Sequence, residues 1–139
     1  MTLRYLLDTN VLSEPVKPVP NAGVLIRIRQ HWEELATAAP VWHELWFGCR
    51  RLPSSTRRTK LEEYLGKSLA PSLKRLPYDD HAAERHAEER ARLVSLGKTP
   101  SFTDGQIAAI AMVHGLIVVT RNIDHFVAFQ GLVVQNWSE

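Results

Sequence analysis

The chain predicts an α/β fold of three layers, with a central, mostly parallel sheet of about five short strands between helices. Three observations carry this. Short, near-continuous apolar runs recur, as in strands buried on both faces of a parallel sheet. Longer amphipathic segments alternate with them, the order expected of strand–helix units. The 139 residues are 45% hydrophobic, enough for one domain (1–139) with a real core.

The elements follow in chain order. Residues 3–7 (LRYLL) form the first strand. Residues 14–21 hold Pro15, Pro18 and Pro20 and read as a surface loop. A helix over 23–35 places Val24, Ile28 and Trp32 on one stripe. Residues 35–39 (LATAA) are a weaker second strand closed by Pro40, which suits the first turn of a helix over 41–52. A charged helix over 54–69 leads to a weak third strand at 73–76. A second charged helix spans 80–96, with Gly97 as its cap. The helix over 103–114 stops at Gly115 and precedes the strongest strand, 116–120 (LIVVT), with three β-branched aliphatic residues in a row. Residues 132–134 are the last strand.

Bulk properties remove several function classes. Cys49 is the single cysteine, so neither an intramolecular disulfide nor a cysteine-based zinc site is available, and a reducing compartment is expected. No apolar run approaches the roughly 20 residues a membrane helix needs, and no signal-peptide core follows Arg4. A soluble, cytoplasmic protein without membrane contact is expected. Seventeen Lys+Arg against fifteen Asp+Glu permit a nucleic-acid partner without demanding one.

The acids are the informative residues. Asp8 ends the first strand, where an uncompensated carboxylate is costly. Glu44 falls in the first turns of the helix after the second strand, and Asp104 opens the helix that runs back before the strongest strand. Asn122 and Asp124 follow that strand. In a parallel sheet, ligands bind beyond the carboxyl ends of the strands, and all these positions fall on that edge. Singly, each has an ordinary explanation, such as a helix cap for Asp104 or a solvated face for Glu44. Together, close carboxylates repel unless a hard cation such as Mg²⁺ or Mn²⁺ joins them. The six histidines are scattered. His43 points about 100° from Glu44 on a helix, and His125 alone lies near the acids as a possible substrate contact.

Four segments in series carry a resemblance that covers essentially the whole chain: Asp8-Thr9-Asn10-Val11-Leu12-Ser13-Glu14-Pro15, Glu44 in its helix, Thr103-Asp104-Gly105-Gln106-Ile107-Ala108-Ala109, and Val119-Thr120-Arg121-Asn122. They resemble the PIN domain, and the closing Gly131-Leu132-Val133-Val134-Gln135-Asn136-Trp137 resembles the VapC-type toxins of prokaryotic toxin–antitoxin pairs. The resemblance implies a PIN-like fold and an endoribonuclease dependent on Mg²⁺ or Mn²⁺. It implies Asp8, Glu44 and Asp104 as catalytic acids, with Asp8 and Asp104 as the main metal ligands and Glu44 binding through water or acting as base. Asn10 and Thr103 would support them through hydrogen bonds. The family's frequent fourth acid is Asn122 here, and Asp124 is a candidate replacement for its charge. Partners implied are an RNA (tRNA, rRNA or mRNA), a second copy in a homodimer, and a small antitoxin that inserts a basic side chain into the acidic pocket.

Arg121 is a candidate phosphate contact. The run Arg50, Arg51, Arg57, Arg58 and Lys60 reads equally as an RNA-tracking surface or a solvated one. Trp42, Trp46 and Phe47 could stack bases or fill an antitoxin groove, although bulky residues so close more often form core or interface. A catalytically weak PIN-like module that binds RNA or protein is the alternative, motivated by Asn122. A haloacid-dehalogenase-type phosphohydrolase needs Asp where Asn10 stands, and no Gly-rich phosphate loop is present.

Overall fold

The computed structural model describes residues 2–139. Five strands form one sheet: β1 Tyr5–Leu7, β2 Leu35–Ala38, β3 Lys74–Leu76, β4 Ile117–Val119 and β5 Val134–Gln135. Their order is β3-β2-β1-β4-β5, and all pairings are parallel. Six α-helices accompany them: α1 Thr9–Leu12, α2 Ala22–Gln30, α3 Ala39–Arg50, α4 Thr56–Glu63, α5 Asp80–Ser95 and α6 Phe102–His114. Every residue of β1 and β2 is buried, and side chains alternate between faces, so helices must cover both sides of the sheet. The expected α/β/α layering and central parallel sheet are therefore present.

Helix ends are set by local chemistry. Asn21 caps α2 by accepting from the Val24 N–H at 3.0 Å, and Asp79 caps α5 from Ala82 at 2.9 Å. Gly97 and Gly115 close α5 and α6 with φ of +75° and +65°, a left-handed conformation that glycine adopts without strain. At the far edge, Trp137 packs edge-on against Tyr5 at 5.1 Å and donates to Gln135. No helix among the described residues is long and apolar enough to cross a membrane.

Several expected boundaries move. The helix expected to reach residue 35 stops at Gln30, because His31 turns the chain and bonds Glu34 at 2.8 Å. Trp32 then lies in a 3-10 turn, and Leu35 starts β2. The charged helix over 54–69 changes after Glu63 into a π-helical segment, Tyr64–Leu69. The last strand is Val134–Gln135 rather than 132–134. The supposed surface loop at 14–21 begins with a 3-10 turn, Glu14–Val16, and the Glu14 side chain is buried. Proline signals marked the turn correctly; burial came from tertiary partners that local sequence does not show.

The sheet order creates the site. From β1 the chain builds outward on one side through β2 and β3, and on the other through β4 and β5. A crevice forms at such a switch, outside the carboxyl ends of the strands. Register then decides which residues meet there. Leu7 pairs with Val119, so Asp8 and Thr120 leave the sheet side by side.

Candidate active site

A cleft of about 570 Å³ opens at this edge, lined by Asp8, Glu44 and Asp104, with Asn10, Thr103, Asn122 and His125 around them. Sequence reasoning placed the three acids together, and they line one cleft. Asp124 does not join them. It lines a neighbouring hollow of about 290 Å³ with Arg121, Asn136 and Glu139, while Asn122 and His125 border both spaces.

Asp8 is only 7% exposed. One carboxylate oxygen, Oδ1, accepts the Thr9 N–H at 2.8 Å, and Oδ2 accepts the Thr120 hydroxyl at 2.9 Å. Burial pushes the Asp8 carboxyl above its ordinary range; the two hydrogen bonds pull it back, and the charge of Asp104 raises it further. Thr120, read from sequence as a strand end within the Val119–Asn122 segment and given no role of its own, is the hub of this corner. Its oxygen also accepts the Asn122 N–H at 3.0 Å and the Asn10 amide at 3.3 Å. One proton and two lone pairs are then all used. Asn10 bonds outward as well, accepting the Arg121 N–H at 3.0 Å. Its expected supporting role thus runs through Thr120 rather than directly to Asp8.

Asp104 sits in the first turn of α6 but is not its cap. Ser101 caps the helix, accepting the Asp104 N–H at 3.1 Å. The Asp104 carboxylate faces the cleft, with the His125 ring at 3.4 Å. Thr103 lines the cleft beside it without a side-chain hydrogen bond among the described residues. Behind this turn, His86 packs so tightly that a Cβ on Gly105 would lie 2.2 Å from its Nε2, which makes glycine obligatory there. The wall formed by α3 presents Glu44, Phe47, Gly48 and Arg51, spaced to share one face. Trp42 and Trp46 instead pack against the core under Arg75 and Arg50, and Phe47 alone of the three aromatics reaches the cleft. Of the basic run, Arg50 and Arg58 pair with Glu62, whereas Arg51 stands at the cleft wall.

Arg121, a candidate phosphate contact, lines the neighbouring hollow, and its guanidinium pairs with buried Glu14, Nη2 to Oε2 at 2.9 Å. Glu14 also pairs with Lys17 at 2.9 Å and accepts the Asn21 N–H at 2.6 Å. Burial alone would raise the Glu14 carboxyl, but Lys17, the Asn21 N–H and Arg121 together hold it below the ordinary value.

The donors suit a hard cation: carboxylate, hydroxyl and amide oxygens, with two mutually repelling acids. Among the described residues no three His, Cys, Asp or Glu side chains stand close enough to form a closed metal cage. That fits Mg²⁺ or Mn²⁺ held by one or two carboxylates, with water and substrate oxygens completing the shell. Asp8 and Asp104 are the side chains that would hold it.

Comparison with known proteins agrees with this geometry. The PIN domain model matches residues 5–131. The chain is 36% identical to the VapC ribonuclease Y4jK of Sinorhizobium fredii, over 95% of this chain and 96% of that one. It is 34% identical to the toxin FitB of Neisseria gonorrhoeae, over 96% and 99%. The structure of FitAB bound to an IR36 DNA fragment superposes with a TM-score of 0.90 at 32% identity, covering 97% of this chain and 96% of that one. The chain belongs to the PIN domain family.

Proposed function

We propose that the protein is a divalent-metal-dependent endoribonuclease of the VapC type, acting as a single PIN domain. The observation that supports this most is the convergence of Asp8, Glu44 and Asp104 on one cleft at the sheet's switch point. The ribonuclease and toxin names of its relatives point the same way.

In the proposed reaction a water oxygen bonds to phosphorus as one ribose-oxygen bond to phosphorus breaks, the water proton passes to a base, and the departing ribose oxygen takes up a proton from solvent. When bound between Asp8 and Asp104, Mg²⁺ or Mn²⁺ would neutralise phosphoryl charge and make water more acidic. Asp8 is held in one orientation by Thr9 and Thr120. Glu44, exposed on the α3 wall and without a hydrogen bond or ion pair among the described residues, is free to accept the proton. Asn122 lacks charge but offers a carbonyl oxygen to a water at the cleft rim. Arg51 supplies a cation for the RNA backbone. As in toxin–antitoxin pairs, a small antitoxin would silence the site, the chain would act as a homodimer, and the compartment would be cytoplasmic.

The second reading is a module that binds RNA without cutting. Asn122, uncharged at the cleft rim where the family's frequent fourth acid stands, favours it. One experiment separates the two. Purified protein is incubated with structured RNA and Mn²⁺ or Mg²⁺, with and without a chelator. Chelator-sensitive cutting, lost in Asp104→Asn, supports the nuclease; RNA retention without cutting under either metal sinks it.

A further inference from the structure

Glu14 lies outside the cleft, yet it is 1% exposed, and a buried carboxylate needs a reason. Its partners supply one. Lys17 and the Asn21 N–H tie it to its own turn, but Arg121 ties it to the segment after β4. Arg121 is gripped twice, its guanidinium by Glu14 and its backbone N–H by Asn10. The same short segment carries Thr120 and Asn122, which complete the bonds around Asp8. A continuous path therefore runs from Glu14 through Arg121 and Asn10 to Thr120 and the Asp8 carboxylate.

We propose that the pairing of buried Glu14 with Arg121 is a positioning device that fixes the Asp8 carboxylate for its ion, rather than Arg121 serving primarily as a phosphate contact. This rests on the metal-dependent reading above. The ion pair at 2.9 Å is made through Nη2 alone, while Nε is buried and unbonded among the described residues. The pair holds the Arg121 side chain against the 14–17 turn, and the Arg121 N–H on Asn10 holds its backbone beside Thr120. Without it, the segment would keep the Thr120 N–H bond to the Gln135 carbonyl and the Thr120 hydroxyl bond to Asp8. Among the described residues, Arg121 itself would be held only through its N–H on the Asn10 amide.

The test compares the unaltered protein with Glu14→Gln, Arg121→Lys and Lys17→Ala. Amide exchange is measured on metal-free protein, Mn²⁺ affinity by calorimetry, and RNA cleavage as kcat and KM. Glu14→Gln keeps the shape and the acceptor for Asn21 but removes the charge. It should speed exchange at the Arg121 and Asn122 amides, and weaken Mn²⁺ binding and lower kcat by about 10- to 100-fold each, as for other partners that orient metal ligands. KM for RNA should hold. Arg121→Lys keeps the charge without the fork and should fall between. Lys17→Ala removes Glu14's own-turn cation, so it should lower the melting temperature while leaving Mn²⁺ affinity and the Arg121 amide unchanged.

Folded Glu14→Gln with unaltered exchange and Mn²⁺ affinity overturns the proposal. So does an Arg121→Lys effect confined to KM, the mark of a phosphate contact. If Glu14→Gln does not fold, the same readings on Arg121→Lys and Arg121→Gln decide. Unaltered protein that binds no Mn²⁺ and cuts no RNA overturns the nuclease reading and this inference together. If the unaltered protein binds and cuts and Glu14→Gln matches it, the inference alone fails.

Discussion

Asp8 and Asp104 line one cleft but are held in opposite ways. Asp8 is 7% exposed, and both of its carboxylate oxygens carry a hydrogen bond. The Asp104 side chain is 21% exposed, and among the described residues its one polar partner is His125 at 3.4 Å. Glu44, across from it, is exposed and unpaired among the described residues. The Asp8 corner is preorganised, its geometry fixed before any ion arrives. The Asp104 and Glu44 side chains carry fewer bonds, and among the described residues the acids share a cleft without forming a closed cage. A site built this way binds its ion with one fixed oxygen set and completes the shell as substrate enters.

The largest effect should come from removing either charge. Asp8→Asn and Asp104→Asn should each lower kcat for RNA cleavage by roughly a thousandfold or more, as loss of a direct participant does. Melting curves should then separate them. Folding disfavours the buried Asp8 charge, so Asp8→Asn should hold or raise the melting temperature near neutral pH; about 1 kcal/mol would be roughly 2 to 5 °C. Asp104→Asn should leave it nearly flat. A drop of many degrees in Asp8→Asn would show that its hydrogen bonds outweigh the cost of its burial.

Gly105→Ala tests the Asp104 corner from behind. The new methyl would lie 2.2 Å from His86 Nε2, and His86 is itself fixed by Tyr78 at 2.8 Å. Overpacking of this kind costs about 1–3 kcal/mol or more, and the first turn of α6 must shift, carrying Asp104 with it. The melting temperature and kcat should both fall. His86→Ala added to Gly105→Ala should restore much of both, because space is the defect. A double variant no better than the single would show that the turn tolerates displacement only through other contacts.

Thr120→Val probes the rigid corner with a nearly isosteric change. Asp8 Oδ2 loses its donor, and the Asn10 and Asn122 groups lose their acceptor. About 1–3 kcal/mol of stability should go, since buried polar groups are left unpaired. Activity should drop about 10- to 100-fold as Asp8 is released. Thr120→Ser, which keeps the hydroxyl, should retain most of both. A large loss in the Ser variant with little in the Val variant would place the role in the methyl group instead.

The two corners also differ in how far they could be read from sequence. Asp8 was legible because an acid directly after an apolar strand is anomalous whatever surrounds it. Glu44 and Asp104 followed once the strands were taken as parallel, because the sheet edge then places them. The partners of Asp8 were hidden. Thr120 ends a strand and suits that place by propensity, so nothing local marks it as a hub. Glu14 sits in a proline-rich turn that reads as surface, and its burial depends on Arg121 from the opposite end of the chain. Asp124 was read as a substitute for charge at Asn122, but the 3-10 turn Ile123–His125 brings His125 to the cleft and leaves Asp124 on the adjoining hollow. Similarly, Trp32 kept helical spacing past the end of α2, where His31 and Glu34 had already turned the chain.

The smallest effect should be the most diagnostic of the fixed corner: its two buried acids should pull stability in opposite directions with pH. Glu14's carboxyl is held below its ordinary 4.5, so its contribution is present above pH 4.5 and is lost as pH falls through the lower folded value. Asp8's carboxyl is raised above its ordinary 3.8, so the folded state favours its protonated form. That contribution is present below pH 3.8 and is lost as pH rises through the higher folded value. Denaturation of metal-free protein at pH values between 3 and 8 should show it by difference. Asp8→Asn should gain stability relative to the unaltered protein as pH rises, and Glu14→Gln should lose it. Added Mn²⁺ should remove most of the Asp8 difference, because an ion on the carboxylate favours its charged form, and leave the Glu14 difference in place. Parallel pH profiles for the two variants would mean that the carboxylates are not set apart by burial and partners in this way.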